Sequence, residues 1–266
     1  MIRILVPAAV VFALVGCGEE MGPLEAAAAL QQSARSSEGT NATQEPIEVS
    51  TDFTIGSALQ DAAAELEVFW DSQAGCNEVT RDGNTLNIDW GELGDGCVYN
   101  GHTFAGLTAI TVEKTEASDL AVKHEWFGFR NEDVTVDGQA DVTWSSEART
   151  RRVITEHTWT ATDGETADVQ GDHEFGVRDG SGFTLDGTRD WQTDKGEWHL
   201  DMVGIGFRLQ DPLPEEGSYV VTNPAGKVLD LTFTRLDEQT IEAVLTGVRG
   251  GDIVYHVTPL GTLERQ

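Results

Sequence analysis

After Cys97 the chain alternates. Val134, Val136, Ala140, Val142 and Trp144 are separated by Thr135, Asp137, Gln139, Asp141 and Thr143. Ala167, Val169, His173 and Phe175 alternate with Asp168, Gln170, Asp172 and Glu174, and Phe183, Leu185 and Trp191 with Thr184, Asp186, Thr188 and Asp190. Such a period of two predicts antiparallel strands covered on one face and wet on the other. Turn signals punctuate the runs, among them Asp163-Gly164, Asp179-Gly180, Asn223-Pro224-Ala225-Gly226 and Arg249-Gly250-Gly251-Asp252. Strands are expected near 84–91, 102–113, 119–130, 133–145, 149–161, 166–176, 183–192 and 197–208, and shorter ones near 217–222, 227–235, 240–248 and 252–259. Ahead of them Ile55, Leu59, Ala62, Leu66, Phe69 and Trp70 recur at steps of three and four, which predicts one N-terminal amphipathic helix ending near Gly75.

The strand pattern repeats internally. Val134-Thr135-Val136-Asp137-Gly138-Gln139-Ala140-Asp141 matches Phe183-Thr184-Leu185-Asp186-Gly187-Thr188-Arg189-Asp190. Gly106, Gly138, Gly171 and Gly187 fall in related frames, spaced 32, 33 and 16. A strand with its turn takes about 16 residues, so the chain predicts an all-β, up-and-down antiparallel meander. Glycines inside strands mark bends, and bends curl such a sheet into an open or partial barrel.

Polar residues share the apolar phase. His124-Glu125-Trp126, His157-Thr158-Trp159 and His173-Glu174-Phe175 have the form His-x-aromatic, and Arg189-Asp190-Trp191 puts Arg in the same place. The phase turns His124, His157, His173 and Arg189 toward the covered face. If His157 and His173 are paired across their hairpin, its centre is Glu165 and their Cβ atoms stand about 5 Å apart. Three readings follow: satisfied core groups, a metal site that lacks a third and fourth ligand, or a cavity with Trp126, Trp159, Phe175 and Trp191 as walls and His157, His173 and Arg189 orienting an apolar or carbohydrate ligand.

The N-terminus has a different character. Arg3 precedes an apolar stretch from Ile4 to Val15, shorter than the roughly 20 residues a helix needs to cross a bilayer. Leu14-Val15-Gly16-Cys17 follows, and it resembles the lipobox of bacterial lipoproteins. The resemblance implies cleavage before Cys17, lipidation of its thiol, attachment to a membrane and, with Gly18 rather than Asp after the Cys, the outer membrane. Residues 1–16 are then a signal peptide. Residues 17–50, rich in Ala, Gln, Ser, Glu and Thr and free of aromatics, read as a flexible tether, and 51–266 as the helix plus the β domain. Cys76 and Cys97 remain, 21 positions apart, and an exported protein favours their pairing as a disulfide. Leu86-Asn87-Ile88-Asp89-Trp90-Gly91, Cys97 and Gly101-His102-Thr103-Phe104-Ala105-Gly106 resemble stretches of β-rich envelope lipoproteins, a loose likeness that carries no activity.

Charge narrows the function further. With 17 Lys and Arg against 46 Asp and Glu, the net charge of −29 excludes nucleic acid as a partner. The acidic wet face reads as a solvated surface that resists edge-to-edge association, and no calcium-binding loop motif accompanies it. No Gly-x-Ser-x-Gly elbow, P-loop, His-Glu-x-x-His or dinucleotide fingerprint is present, so the expectation is a protein that is not an enzyme, with no cofactor and no metal. The sequence therefore predicts a lipid-anchored envelope protein acting as a binding or structural surface component. A carrier of an apolar ligand in a half-barrel cavity is the first alternative, and a hydrolase the second.

Overall fold

A computed structural model describes residues 20–262 apart from 57–58, 74–77, 94–96, 100–101, 115–119, 146, 179–181, 210 and 212. Two helices, α1 (Pro23–Gly56) and α2 (Leu59–Asp71), precede fourteen strands. These are β1 (Glu78–Asp82), β2 (Thr85–Asp89), β3 (Cys97–Tyr99), β4 (His102–Lys114), β5 (Leu120–Arg130), β6 (Val134–Ser145), β7 (Thr150–Ala161), β8 (Thr166–Arg178), β9 (Gly182–Thr193), β10 (Gly196–Arg208), β11 (Glu216–Thr222), β12 (Val228–Arg235), β13 (Ile241–Thr246) and β14 (Ile253–Val257). Strand follows strand in chain order, every pairing is antiparallel, and β3 lies off the main path against β4. The sheet is not closed, since β1 and β14 end it on opposite sides.

Alternation dictates which face is covered. In β7 every second residue from Arg151 to Ala161 is buried, and the residues between them are exposed. The sheet bends where its register shifts, in β4 near Gly106, in β5 near Gly128 and in β10 near Gly204. Gly138 and Gly187, the matched glycines of the repeat, have φ of 149°, and a Cβ there would lie 2.4 Å from the Glu156 carbonyl oxygen and 2.2 Å from that of Asp172. Only glycine admits that approach, which is why the repeat keeps it.

Residues 17–50 were expected to be a flexible tether, and here the fold differs. Residues 23–56 form α1, which packs across the sheet against β5, β6, β7 and β11. Ala26, Ala29, Ser36, Ala42, Thr43, Ile47 and Ser50 are buried beneath or within it. A composition poor in large apolar residues argues for disorder only if the segment must supply its own apolar surface. In this fold its partners supply it: Trp126, Trp159 and Trp191 on the sheet, Trp90 just after β2 and Trp70 on α2 are 1% exposed or less, and small residues on α1 let the helix approach the covered face. Arg35 anchors the crossing with ion pairs to Asp163 and Glu165 in the β7–β8 turn.

α2 buries Ala62, Ala63, Leu66 and Trp70, and Trp70 meets Trp90 edge-on at 5.0 Å. The side chains of Ile55 and Leu59, the first positions of the expected amphipathic stripe, lie outside the described residues, as do Cys17 and Cys76. No helix among the described residues is long and apolar enough to cross a membrane.

Candidate functional site

The inward side chains of β5 to β10 form rows across the sheet. One row runs Trp126, Gly138, His157, Val169, Trp191, Trp198. The next runs His124, Ala140, Thr155, Gly171, Arg189, Leu200, and a third holds Val122, Val142, Val153, His173, Gly187, Met202. Each imidazole or guanidinium thus stands beside a small residue: His124 beside Ala140, His157 beside Gly138, His173 beside Gly187 and Arg189 beside Gly171. Gly171 is closely covered: a Cβ there would lie 2.7 Å from Thr155 Oγ1 and 3.3 Å from the His173 ring.

The expected cavity residues all point inward, and the structure groups most of them. Trp126, Trp159 and Trp191 are buried, as are His157, His173 and Arg189. Phe175 lies apart, toward the far end of β8, where the Arg151 guanidinium sits 4.5 Å from its ring centre. The pairing of His157 with His173 needs correction. His157 faces Val169 and His173 faces Val153, so the hairpin centres on Asp163 rather than Glu165. The cause is the turn: Ala161 and Glu165 close a three-residue loop in which Gly164 adopts φ of 86°. The shift moves each partner by four positions, which keeps both imidazoles on the inner face and separates them along it.

α1 contributes residues the sequence pattern did not single out. Arg189 Nη1 donates to Ser37 Oγ at 2.6 Å and to Ser36 Oγ at 3.3 Å. Arg151 Nη2 donates to Glu48 at 2.7 Å, and Ser50 Oγ lies 2.9 Å from His124 Nε2. Gly39 sits on His157, where a Cβ would come within 2.8 Å of Nε2. Only a prior decision that this stretch folds onto the sheet would have drawn attention to these small residues.

Burial sets the electrostatics. It pushes the His124 imidazole down to about 3. It also pushes His157 and His173 down to about 4, with the Arg189 charge adding to the effect at both. All three rings are neutral at pH 7. Burial lowers Arg189 to about 10, which leaves its guanidinium charged. Among the described residues no carboxylate pairs with it, and its Nε, both ring nitrogens of His157, Nε2 of His173, Oγ1 of Thr155 and the indole nitrogens of Trp126, Trp159 and Trp191 have no hydrogen-bond partner. Buried polar groups are nearly always paired, so this concentration sets the interface apart from an ordinary core.

Ser50 and His124 have the spacing of a nucleophile and its base, yet His124 Nδ1 lacks the orienting acid, both residues are fully buried, and an imidazole pushed to about 3 is a weak base at neutral pH. Among the described residues no group of three or more His, Cys, Asp or Glu is placed to hold a metal ion. Cys97 is buried on β3. A pocket of about 600 Å³ opens along the middle of α1, bounded by Arg35, Glu38, Asn41, His102, Phe104 and Val134. Scans of the chain against protein-family models, curated proteins and solved structures give no match.

Proposed function

We propose that this is a lipid-anchored component of the cell envelope, acylated at Cys17 and held at the outer membrane, that acts by binding through the helix-covered face of its sheet. The lipobox-like Leu14-Val15-Gly16-Cys17 carries the anchoring, and the position of Met21 sets how near the body stands to it. The Met21 amide donates to the Gly247 carbonyl at 2.8 Å, its carbonyl accepts from the Arg249 amide at 2.8 Å, and its side chain is fully buried. The folded body thus begins four residues after Cys17, a span of at most about 14 Å. Two or three acyl chains on that sulfur bind a bilayer stably, at about 0.8 kcal/mol per buried CH₂. With so short a link, the β13–β14 end of the sheet stands against the lipid rather than apart from it.

Binding is preferred to catalysis because the polar groups of the covered face lie under a helix, and the Ser50–His124 pair has no acid behind it. A carrier is the more specific form of the same proposal. A disulfide between Cys97 and Cys76, worth about 3 kcal/mol for a loop of that size, and an amphipathic helix over 55–70 belong to it as well.

Cell fractionation with palmitate labelling tests the anchor. The wild-type protein is expected in membranes and labelled, and Cys17→Ser is expected unlabelled and soluble. A Cys17→Ser protein that still sediments with membranes, or a mature N-terminus without acyl mass, contradicts the proposal.

A further inference from the structure

We infer that α1 is a displaceable cover, and that the trough beneath it binds an amphiphile whose carboxylate or phosphate head pairs with Arg189 and whose apolar body lies along Trp126, Trp159 and Trp191. This rests on the reading of the protein as a binder, but not on its lipid anchor.

Arg189 is the first ground. A desolvated guanidinium is costly unless a charge compensates it. Arg35, Arg81, Arg130, Arg151, Arg152, Arg178, Arg208 and Arg235 each have a carboxylate within 4.0 Å. Arg189, only 6% exposed, has two serine hydroxyls instead. A chain with 46 acidic residues does not lack carboxylates to place there. What the site lacks is an acceptor with charge, and a ligand anion supplies one.

The neighbours of Arg189 agree. Thr155 Oγ1 and the indole N–H groups of Trp159 and Trp191 offer unused donors on the same face, and Gly171, which pairs with both Thr155 and Arg189, brings the Thr155 hydroxyl and the His173 ring close against the backbone beside the guanidinium. Tyr219, largely buried, is the further titratable group within the field of Arg189, and it is neutral at pH 7. Around this polar centre Val136, Ala140, Val153 and Val169 are buried, so the rest of the trough suits hydrocarbon.

The cover is built to leave. Its central stretch, Ser36-Ser37-Glu38-Gly39-Thr40-Asn41, contains weak helix formers, and Pro46 cannot donate to the Ala42 carbonyl. Hydrophobic residues form no stripe along α1, so small side chains and a few polar contacts hold it down. The pocket of about 600 Å³ already separates one flank of this stretch from β4 and β6. A helix is about 10 Å across, so its departure opens a channel wide enough for an acyl chain.

The test is a tryptophan-fluorescence titration of the full chain carrying Cys17→Ser, with oleate, oleyl alcohol, oleoyl lysophosphatidate and inorganic phosphate as probes. One saturable site for oleate or the lysophosphatidate is expected, with oleyl alcohol weaker by about tenfold or more, the usual value of a buried charge pair. The better of the two anionic lipids identifies the head group. Arg189→Gln is expected to weaken binding by a similar factor. Gly39→Ala, which pushes the closed cover off His157, is expected to tighten it. Amide exchange of residues 33–44 should accelerate at saturation. Equal affinity for oleate and oleyl alcohol, no saturable binding, phosphate binding as tightly as oleate, or unchanged exchange in α1 overturns the inference. If Arg189→Gln does not fold, Gly39→Ala and the oleate–alcohol comparison still decide it with Arg189 intact. Loss of membrane attachment in Cys17→Ser bears on the anchor alone and leaves this titration unaffected.

Discussion

Three neutral imidazoles in the interior make a prediction about acid. The folded-state values, about 3 for His124 and about 4 for His157 and His173, lie below the ordinary value near 6.5 because burial disfavours the charged ring. The unfolded chain therefore binds protons first as pH falls. The stability these groups provide is complete above about pH 6.5 and drains away toward pH 4, at up to about 1.4 kcal/mol per pH unit for each ring. Urea midpoints measured from pH 7.5 to 4.5 should fall steeply in that range, and His124→Phe should flatten the slope. Carboxylates held low by arginines, such as Asp172 and Glu215, act in the same direction at lower pH, so the histidine window stands apart. A midpoint that stays constant from pH 7 to 5 contradicts the burial of these rings. At this scale the sequence disclosed the inward phase of His157, His173 and Arg189, because parity survives any shift by an even number of residues. It did not disclose the register, which the Asp163-Gly164 turn sets through a backbone conformation that period-two reasoning does not see.

Among the elements, the long strands were legible and the first helix was not. β4 to β10 run 11 to 13 residues, and although bulges interrupt the alternation in β4, β5 and β10, their existence and ends follow from the sequence to within two or three positions. β1 was missed because its residues are mostly exposed and charged, as suits the edge of a sheet, and β3 because three residues hold too little pattern. α1 escaped for a different reason: its burial is imposed by the partner surface, and nothing in its own periodicity announces it. Hydrogen exchange checks its status. Amides of residues 26–50 should be protected well above the unfolded rate yet exchange faster than those of β7 to β9, the pattern of a docked element that opens on its own. Exchange at the unfolded rate throughout 26–50 returns the segment to a tether.

For the whole molecule, one polarity matters most. The sheet has an end where Met21 meets Val248 beside the β13–β14 turn, and an opposite end that carries the β12–β13 turn around Asp237. If acyl chains sit on Cys17, the first end faces lipid and the second faces water. The acidic surface, part of a net charge of −29, then keeps the remainder of the body away from anionic head groups. β12, 8 residues long, separates the two ends by about 25 Å. The most direct measurement is fluorescence quenching by spin-labelled lipids in vesicles carrying the mature acylated protein, with a fluorophore at Asp252→Cys or at Glu238→Cys. Strong quenching at position 252 and little at 238 is the expected result. Equal quenching at both positions, or none at either, contradicts a β body seated on the membrane by its N-terminal sulfur.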